Sequence, residues 1–382
     1  MKKWLFIIIL AFTGNRGMSQ SDSICQIRIS VLTCAPGQEL YSLFGHTALR
    51  ITDTAAHRDV VYNWGTFDFT QPGFYTDFMR GKLLYYVSAW TMPEFMYEYQ
   101  ASGRAVYEQI LDANCADKKA ILEAVAYNLK TENLYYKYDF LLDNCTTRIR
   151  DIILKNIKPA ANVRSVVDAG TTHRNLIHQY LDKGHQPWSK LGIDILLGSK
   201  LDEPVTIQSS YFLPEFFMKG LSLATASGRL ITPATNTILK GGAAEATGST
   251  YTPLIAIAIF CVLLYFCCKI SGGKFAFIVD ALLMLISGLL GIILLFMWWG
   301  TDHTVCQNNW NLIWAFPLNF FIGFLLKRNY SWLRYYFMAM AILSGLLLVG
   351  WFWWPQELNI AIAPFVLLLF NRYIAHSAKK IS

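Results

Sequence analysis

The stretch TPLIAIAIFCVLLYFCC, residues 252–268, divides this chain of 382 residues into two parts that belong to different solvents. It carries no charged side chain and is long enough to cross the hydrocarbon core of a bilayer. Four more apolar segments follow, so we expect residues 251–382 to form an all-α transmembrane bundle of about five helices. The five segments are 252–268, 275–299, 311–326, 335–354 and 359–375.

Basic residues lie on one side of this predicted bundle. If the first segment starts outside, the inner loops and the C-terminal tail hold all of them, the usual asymmetry of membrane proteins, and the C-terminus lies inside. They are Lys269, Lys274, Lys327, Arg328, Arg334, Arg372, Lys379 and Lys380. The net charge of +7 therefore reflects topology, and no pattern of basic and aromatic residues indicates a nucleic-acid partner.

The N-terminus has the layout of a secretory signal peptide over residues 1–20. Lys2 and Lys3 precede the apolar run 4–12, and a small and polar stretch follows. A retained anchor helix is the alternative, and both would export the chain that follows. We therefore expect a protein of the bacterial inner (cytoplasmic) membrane with its N-terminal domain in the periplasm.

That periplasmic domain is expected to span residues 21–250, with a linker rich in Gly, Ala, Ser and Thr at its end. Alternating apolar residues predict a β-hairpin from 48–52 and 60–64. Helical periodicity appears later, over 118–130 and 143–157. The sequence thus predicts an α+β exported domain followed by the membrane bundle.

Cys145 opens the second of these predicted helices, directly after Asp143 and Asn144, which are both good N-cap residues. Free amide groups and the positive end of a helix dipole stabilise a thiolate, the form of cysteine that attacks a carbonyl carbon. Cys145 also shares an apolar stripe with Ile149 and Ile152. A buried structural cysteine is therefore the alternative interpretation.

A thiol nucleophile needs a base and a group that orients the base. His46, at the entry to the first hairpin strand, is the candidate base. Asn63 on the next strand is the candidate orienting partner, and Asp68 is its substitute. A lone histidine before a strand is more often structural, but the other histidines of this domain lie in turns or polar stretches.

These residues also carry a resemblance to a known family. The motifs are 31–37 (VLTCAPG), 44–50 (FGHTALR), 63–69 (NWGTFDF), 80–82 (RGK) and 143–148 (DNCTTR). In this order, followed by a membrane bundle, they resemble the Lnb-type lipoprotein N-acyltransferase family. The resemblance implies a circularly permuted papain-like (NlpC-like) fold, similar to that of lecithin retinol acyltransferase, with the histidine before the cysteine. It also implies His46 as base and Cys145 as nucleophile.

The function that follows is acyl transfer through a thioester on Cys145 to the α-amino group of a lipoprotein's N-terminal cysteine. In the family the acyl chain comes from the lipoprotein's own glyceryl group, so the partners are membrane lipid and lipidated proteins. Two alternatives stay open at this point. One is a periplasmic cysteine peptidase or amidase of NlpC type that acts on cell-wall peptides. The other is a lipid-sensing binding module without catalysis.

A polar loop between the second and third apolar segments contains Asp302 and His303. The charge pattern places it outside, so it is a possible second site, with His303 as a base oriented by Asp302. An ordinary solvated loop is the alternative. Basic side chains that steer a headgroup or carboxylate are a further expectation, although exposed surface charges explain them equally well. The candidates are Arg80, Lys82 and Arg148.

The cysteines limit the chemistry further. Five are predicted to be exported, and an odd number leaves at least one thiol unpaired in a monomer. They are Cys25, Cys34, Cys115, Cys145 and Cys306. No Cys/His spacing indicates a metal site and no Gly-rich phosphate loop occurs, so we expect neither a metal nor a cofactor.

Overall fold

The computed structural model describes residues 25–39, 41–242, 252–271, 273–328 and 330–378. The predicted signal peptide and most of the predicted linker lie outside these ranges. The described chain forms an exported mixed α/β domain and a helical region. The α+β expectation is confirmed for the exported domain, while its likeness to a permuted papain-like fold stays a prediction.

The centre of the exported domain is an antiparallel sheet of seven strands in the order β6-β4-β3-β2-β1-β5-β9. A separate two-stranded sheet, β7-β8, lies near the end of the domain. The strands are β1 (Arg28–Cys34), β2 (His46–Asp53), β3 (Arg58–Thr66), β4 (Leu84–Thr91), β5 (Val106–Ile110), β6 (Tyr135–Lys137), β7 (Thr225–Ala226), β8 (Arg229–Leu230) and β9 (Thr235–Leu239).

The predicted hairpin is confirmed as β2 and β3, which pair from Leu49 with Tyr62 to Asp53 with Arg58. Arg50 links it to the rest of the sheet. Its Nη2 lies 2.6 Å from Asp59 Oδ2 and its Nη1 lies 3.0 Å from Glu108 Oε1 on β5. Arg50 and Glu108 are largely withdrawn from water, so these charge-assisted bonds help to hold β2, β3 and β5 together.

Helices cover the sheet and extend the domain. They are α1 (Phe74–Met79), α2 (Met92–Ala101), α3 (Cys115–Asn128), α4 (Cys145–Asn156), α5 (His173–Lys183), α6 (Pro187–Leu196), α7 (Ile207–Ser210) and α8 (Pro214–Leu223). Both predicted helices are confirmed, as α3 and α4. A disulfide joins Cys25 to Cys115 at the start of α3, and Cys34, Cys145 and Cys306 are free thiols.

Helix α4 lies on the sheet because one face of it is apolar. Ile149 and Ile153 are fully buried and pack with Val31, Leu49 and other sheet residues into one core cluster. Burying each such side chain contributes about 1.5–3 kcal/mol relative to its exposure. This packing holds the N-terminus of α4, and with it Cys145, against the β2 and β3 strands.

Four helices of the described C-terminal region are long and apolar enough to cross a membrane. Three are α9 (Pro253–Ile270), α10 (Gly273–Trp299) and α12 (Ser331–Val349), and the fourth spans Ile360–Ser377, with α13 (Ala363–Ser377) as its α-helical part. The third predicted segment forms only a shorter apolar helix, Trp310–Leu325, whose regular part is α11 (Leu318–Leu325). Four of the five expected spans are therefore candidate membrane helices by length and composition.

The short segment is irregular because it begins with a 3-10 turn and Pro317 precedes α11. It nevertheless packs closely along α10. A Cβ atom on Gly291 would lie 2.0 Å from the Ala315 carbonyl oxygen, and one on Gly288 would lie 1.9 Å from the Phe320 nitrogen. Small residues allow such backbone approach between membrane helices. The fifth crossing itself stays a prediction.

The exported domain is fixed to the outer ends of the helices by a buried polar network. Arg174, fully buried, contacts Asp194 at 2.8 Å and Asp202 at 2.8 Å. Asn359, between α12 and α13, donates to Asp194 Oδ2 at 2.8 Å, and Gln356 donates to the Asp194 carbonyl. Arg174, Asp194 and Asp202 all belong to the exported domain, so their ion pairs hold the domain side of this network. The hydrogen bonds from Asn359 and Gln356 to Asp194 then join the domain to the helical region.

Candidate functional site

The site starts from the N-terminus of α4, where Asn144 forms a complete cap. Its Oδ1 accepts from the Thr146 N–H at 2.8 Å and the Thr147 N–H at 2.9 Å. Its Nδ2 donates to the carbonyls of Phe140 and Phe212 at 2.7 and 2.9 Å. These bonds tie the helix start to two neighbouring segments. Cys145 is thereby held as the first residue of the helix, where its own N–H has no intrahelical acceptor.

The Cys145 thiol has a lowered pKa. Burial by itself would raise this pKa, but the charge of His46 and hydrogen bonds from the His46 side chain, the Thr47 N–H and the Thr146 hydroxyl outweigh it. The result is a fall from the ordinary 9.0 to about 7. A thiol with that pKa is roughly half ionised at neutral pH, so the attacking form is abundant.

His46 is fixed on its other side by Asn63. Its Nε2 lies 3.2 Å from Asn63 Oδ1, and Asn63 Nδ2 lies 3.5 Å from the Val61 carbonyl. An amide oxygen only accepts, so Nε2 carries a proton and Nδ1 keeps its lone pair when the ring is neutral. The structure therefore brings Cys145, His46 and Asn63 together. In the chain, Asn63 follows His46 by 17 positions and Cys145 follows it by 99.

Asp68, the substitute orienting group, lies elsewhere. Its carboxylate accepts from the Thr70 N–H at 2.8 Å and from the Thr70 hydroxyl at 2.7 Å. It is exposed in the turn after β3 and has no described bond to His46. Asn63, which is only 5% exposed, is the candidate that is hydrogen-bonded to the imidazole.

Two features of the site were missed by sequence reasoning. Gly65 has a φ of +86°, and a Cβ there would lie 3.7 Å from the Cβ of Cys145 and 3.5 Å from the Tyr138 ring. Thr47 supplies its backbone N–H to the thiol and its hydroxyl to Thr146 Oγ1 at 3.0 Å. The sequence could have pointed to both residues through their neighbours, because Thr47 directly follows His46 and Gly65 lies two positions after Asn63.

Arg148 is bound within the protein. Its Nε and Nη2 lie 2.5 and 2.7 Å from the Asp143 carboxylate, and its guanidinium carbon lies 3.5 Å from the centre of the Tyr136 ring. These contacts stabilise the turn that enters α4. Arg80 and Lys82, by contrast, are exposed near Asp302, whose pKa is lowered by its hydrogen bond with Lys137 and by the charges of Lys137, Lys82 and Arg80.

The loop after α10 docks on the exported domain close to this turn. The Asp302 N–H donates to the Arg80 carbonyl at 2.8 Å, and Thr304 Oγ1 donates to Asp139 Oδ2 at 2.9 Å. Asp302 does not orient His303 as expected. Its carboxylate lies 2.7 Å from Lys137 Nζ, and His303 Nε2 instead donates to the Phe78 carbonyl at 3.0 Å. Among the described residues His303 forms no hydrogen bond with Cys145 or His46.

A cavity of about 700 Å³ lies on the junction between the exported domain and the outer ends of the helices. His178, Lys190, Trp351 and Glu357 are among its lining residues, and none of Cys145, His46 and Asn63 is. Within the part of the chain that the structure describes, no group of three or more His, Cys, Asp and Glu side chains is arranged to hold a metal ion.

Fold and site together define a membrane protein whose periplasmic domain holds a cysteine against a histidine. The model of the Lnb N-terminal periplasmic domain matches residues 18–179, and the model of the Lnb transmembrane domain matches residues 245–381. The chain belongs to the Lnb family. No curated protein and no solved structure matches it. Membership of this family indicates a membrane protein that processes lipoproteins and suggests that the protein is an enzyme.

Proposed function

We propose that this protein is a lipoprotein N-acyltransferase of the inner membrane with Cys145 as nucleophile. The observation that carries the proposal is the Cys145, His46 and Asn63 constellation, in which the thiol pKa is lowered to about 7 on a domain docked to membrane helices. A structural cysteine needs neither the histidine nor a lowered pKa. The position of the domain explains how such a thiol would meet a lipid ester.

In the first step the Cys145 thiolate attacks the carbonyl carbon of an ester in a diacylglyceryl-type lipid. The tetrahedral oxyanion would be stabilised by the free N–H of Cys145 at the helix start. The ester C–O bond then breaks, and the His46 imidazolium gives its proton to the departing alkoxide. The products are a thioester on Cys145 and a lyso-lipid with a free hydroxyl group.

In the second step an amine opens the thioester, and the family points to the α-amino group of a lipoprotein's N-terminal cysteine. The neutral amine attacks the acyl carbon, the C–S bond breaks, and Cys145 leaves as thiolate. The amine nitrogen loses one proton to a base, and the product is an amide. His303 would be that base, with the Phe78 carbonyl in place of Asp302 fixing its tautomer.

The membrane region has a physical role in this reaction. Donor and acceptor are both anchored in lipid, and confinement to the outer leaflet raises the effective concentration of each near Cys145. Arg80 and Lys82, exposed beside the docked loop, would attract a phosphate or carboxylate group of the lipid. A peptidase that acts on soluble cell-wall peptides gains nothing from this arrangement.

The direct test is mass spectrometry of lipoprotein N-termini from cells with and without the protein. Acylated N-terminal amines that occur only with the protein support transfer, and identical N-termini in both strains refute it. A thiol-reactive lipid ester adds a second test on the purified full-length chain. It should label wild-type protein and Cys306→Ser equally, because burial raises the pKa of Cys306 to about 12, and it should not label Cys145→Ser.

A further inference from the structure

An exposed apolar surface lies on the exported domain at helix α1. Three aromatic side chains and one methionine form this surface, which we call the aromatic ridge. They are Phe69, Tyr75, Phe78 and Met79, with 59%, 73%, 51% and 55% of their surface exposed. Single exposed apolar residues are common, but a contiguous group of this kind usually marks an interaction surface.

The aromatic ridge lies at the level of the outer ends of the membrane helices. His303 donates to the Phe78 carbonyl at 3.0 Å, and the Asp302 N–H donates to the Arg80 carbonyl, so the ridge is bonded to the loop that follows α10. Trp299, the last residue of α10, is 74% exposed. Since tryptophan prefers the interface between headgroups and acyl chains, the ridge is held next to that interface.

A continuous chain of rings leads from the ridge to Cys145. Phe78 stacks on Phe74 with ring centres 6.2 Å apart, and Phe74 lies 6.0 Å from Phe67. Phe67 contacts Tyr85 at 5.3 Å, and Tyr85 stacks on Tyr138 at 4.5 Å.

Tyr138 completes this path. It packs in the same cluster as Cys145, and both side chains flank Gly65, where a Cβ would lie 3.5 Å from the Tyr138 ring and 3.7 Å from the Cys145 Cβ. Aromatic rings in contact therefore connect the ridge to the surroundings of the thiol, and two of them are tyrosines. An alkyl chain laid along it would bring its carbonyl end toward Cys145.

Charges lie at one end of the ridge. Arg80 and Lys82 follow α1, and Lys137 joins them around the carboxylate of Asp302. A cationic edge beside an apolar surface matches a lipid, whose headgroup phosphate or carboxylate lies next to its acyl chains. A globular protein partner would not require a cationic edge beside an apolar surface.

We propose that the aromatic ridge inserts into the outer leaflet and binds the acyl chain of a glycerolipid, which the ring path directs to Cys145. The proposed insertion of the ridge rests only on the exposure of its side chains and on its bonds to the loop that follows α10. The delivery to Cys145 rests on the proposed function. The sequence around α1 would accordingly be the part of the exported domain that recognises the donor chain.

Photocrosslinking tests the insertion without any need for the chemistry. We would place p-benzoylphenylalanine at position 75 in full-length Cys145→Ser protein, reconstituted in phosphatidylethanolamine and phosphatidylglycerol vesicles. Position 97 is the matched control, because Tyr97 on α2 is 74% exposed and Tyr75 is 73% exposed. Lipid adducts at position 75 well above those at position 97 are expected. Equal adducts at both positions, or none at position 75, would overturn the proposal.

The delivery is tested by the acylation of Cys145 with long-chain and short-chain lipid esters. In Tyr75→Ser/Phe78→Ser protein the ratio of the long-chain to the short-chain rate should fall by about tenfold, a discrimination that one methylene contact can support. Tyr97→Ser should keep the wild-type ratio. An unchanged ratio in the ridge variant would refute the delivery. If wild-type Cys145 accepts neither ester, the proposed function fails, and the crosslinks still decide the insertion.

Discussion

The surroundings of Cys145 and Cys34 show what makes a thiol reactive in this protein. Cys34 is 1% exposed and lies opposite His46 in the β1 and β2 register. Burial raises its pKa to about 12, although a hydrogen bond with Tyr99 and the charge of Arg104 oppose the rise. Cys145 is also withdrawn from water, yet its pKa falls to about 7. The difference lies in the partners, because only Cys145 combines the imidazole, a backbone N–H and a helix start.

The largest expected effect concerns these two thiols directly. Cys145→Ser should lower acyl transfer by roughly 10⁴-fold or more, because a serine hydroxyl is not ionised by the same partners. Cys34→Ser should retain activity, since that thiol takes no part in the chemistry. Both are measured as the rate of amide formation on a synthetic lipopeptide. Substantial activity of purified Cys145→Ser would remove Cys145 from the mechanism.

The second-largest effect is expected from loss of the candidate base, His46. We expect His46→Ala to reduce the rate by about 100-fold or more, the usual contribution of a general base. His57→Asn is the matched control, because His57 lies in the exposed turn between β2 and β3 with a φ of 50°, which asparagine tolerates. A normal rate in His46→Ala would show that another group generates the thiolate.

The pH dependence of alkylation separates the two thiols without any lipid. Because the pKa of Cys145 is about 7, its reaction with iodoacetamide should rise with pH through that value. In His46→Ala the two contributions of the imidazole that lower the pKa are lost, while burial and the bonds from Thr47 and Thr146 remain, so the midpoint should move upward. Labelled peptides identify the site by mass spectrometry. A wild-type midpoint near 9 would contradict the lowered pKa.

Asn63→Ala should have a smaller effect than His46→Ala, about tenfold, because the imidazole remains and only its orientation and tautomer are lost. Asp68→Ala is the control, since the Asp68 carboxylate bonds to Thr70. The comparison is made on the rate of Cys145 acylation. Equal losses in Asn63→Ala and His46→Ala would mean that the asparagine does more than orient the base.

The two histidines His46 and His303 offer a second comparison of the same kind as that of the two thiols. His46 is bonded to a side-chain amide beside the thiol, whereas His303 is bonded to a backbone carbonyl on the docked loop. His303→Ala should still form acyl-Cys145 but pass the chain to the amine about tenfold more slowly. Intact-protein mass spectrometry would show the accumulated thioester. Wild-type transfer by His303→Ala would make the loop a connector only.

The sequence predicted those elements whose formation depends on neighbouring residues in the chain. The periodicity of Ile149, Ile152 and Ile153 predicted α4, and the cap residue before Cys145 placed the thiol at its start. Apolar length predicted four of the membrane helices. The same rule predicted a regular helix over 311–326, where a 3-10 turn and Pro317 precede α11, because hydropathy does not register backbone breaks. The fifth crossing stays a prediction.

The tertiary structure decided the contacts between distant segments. Asn63 rather than Asp68 meets His46, since the pairing of β2 and β3 sets which side chain reaches the imidazole. Cys25 joins Cys115 across 90 positions of the chain. Asp302 binds Lys137 instead of orienting its neighbour. Sequence alone predicted the candidate residues for chemistry and the apolar segments. Only packing determined the partners of those residues, because hydrogen bonds and ion pairs depend on distances that chain order does not contain.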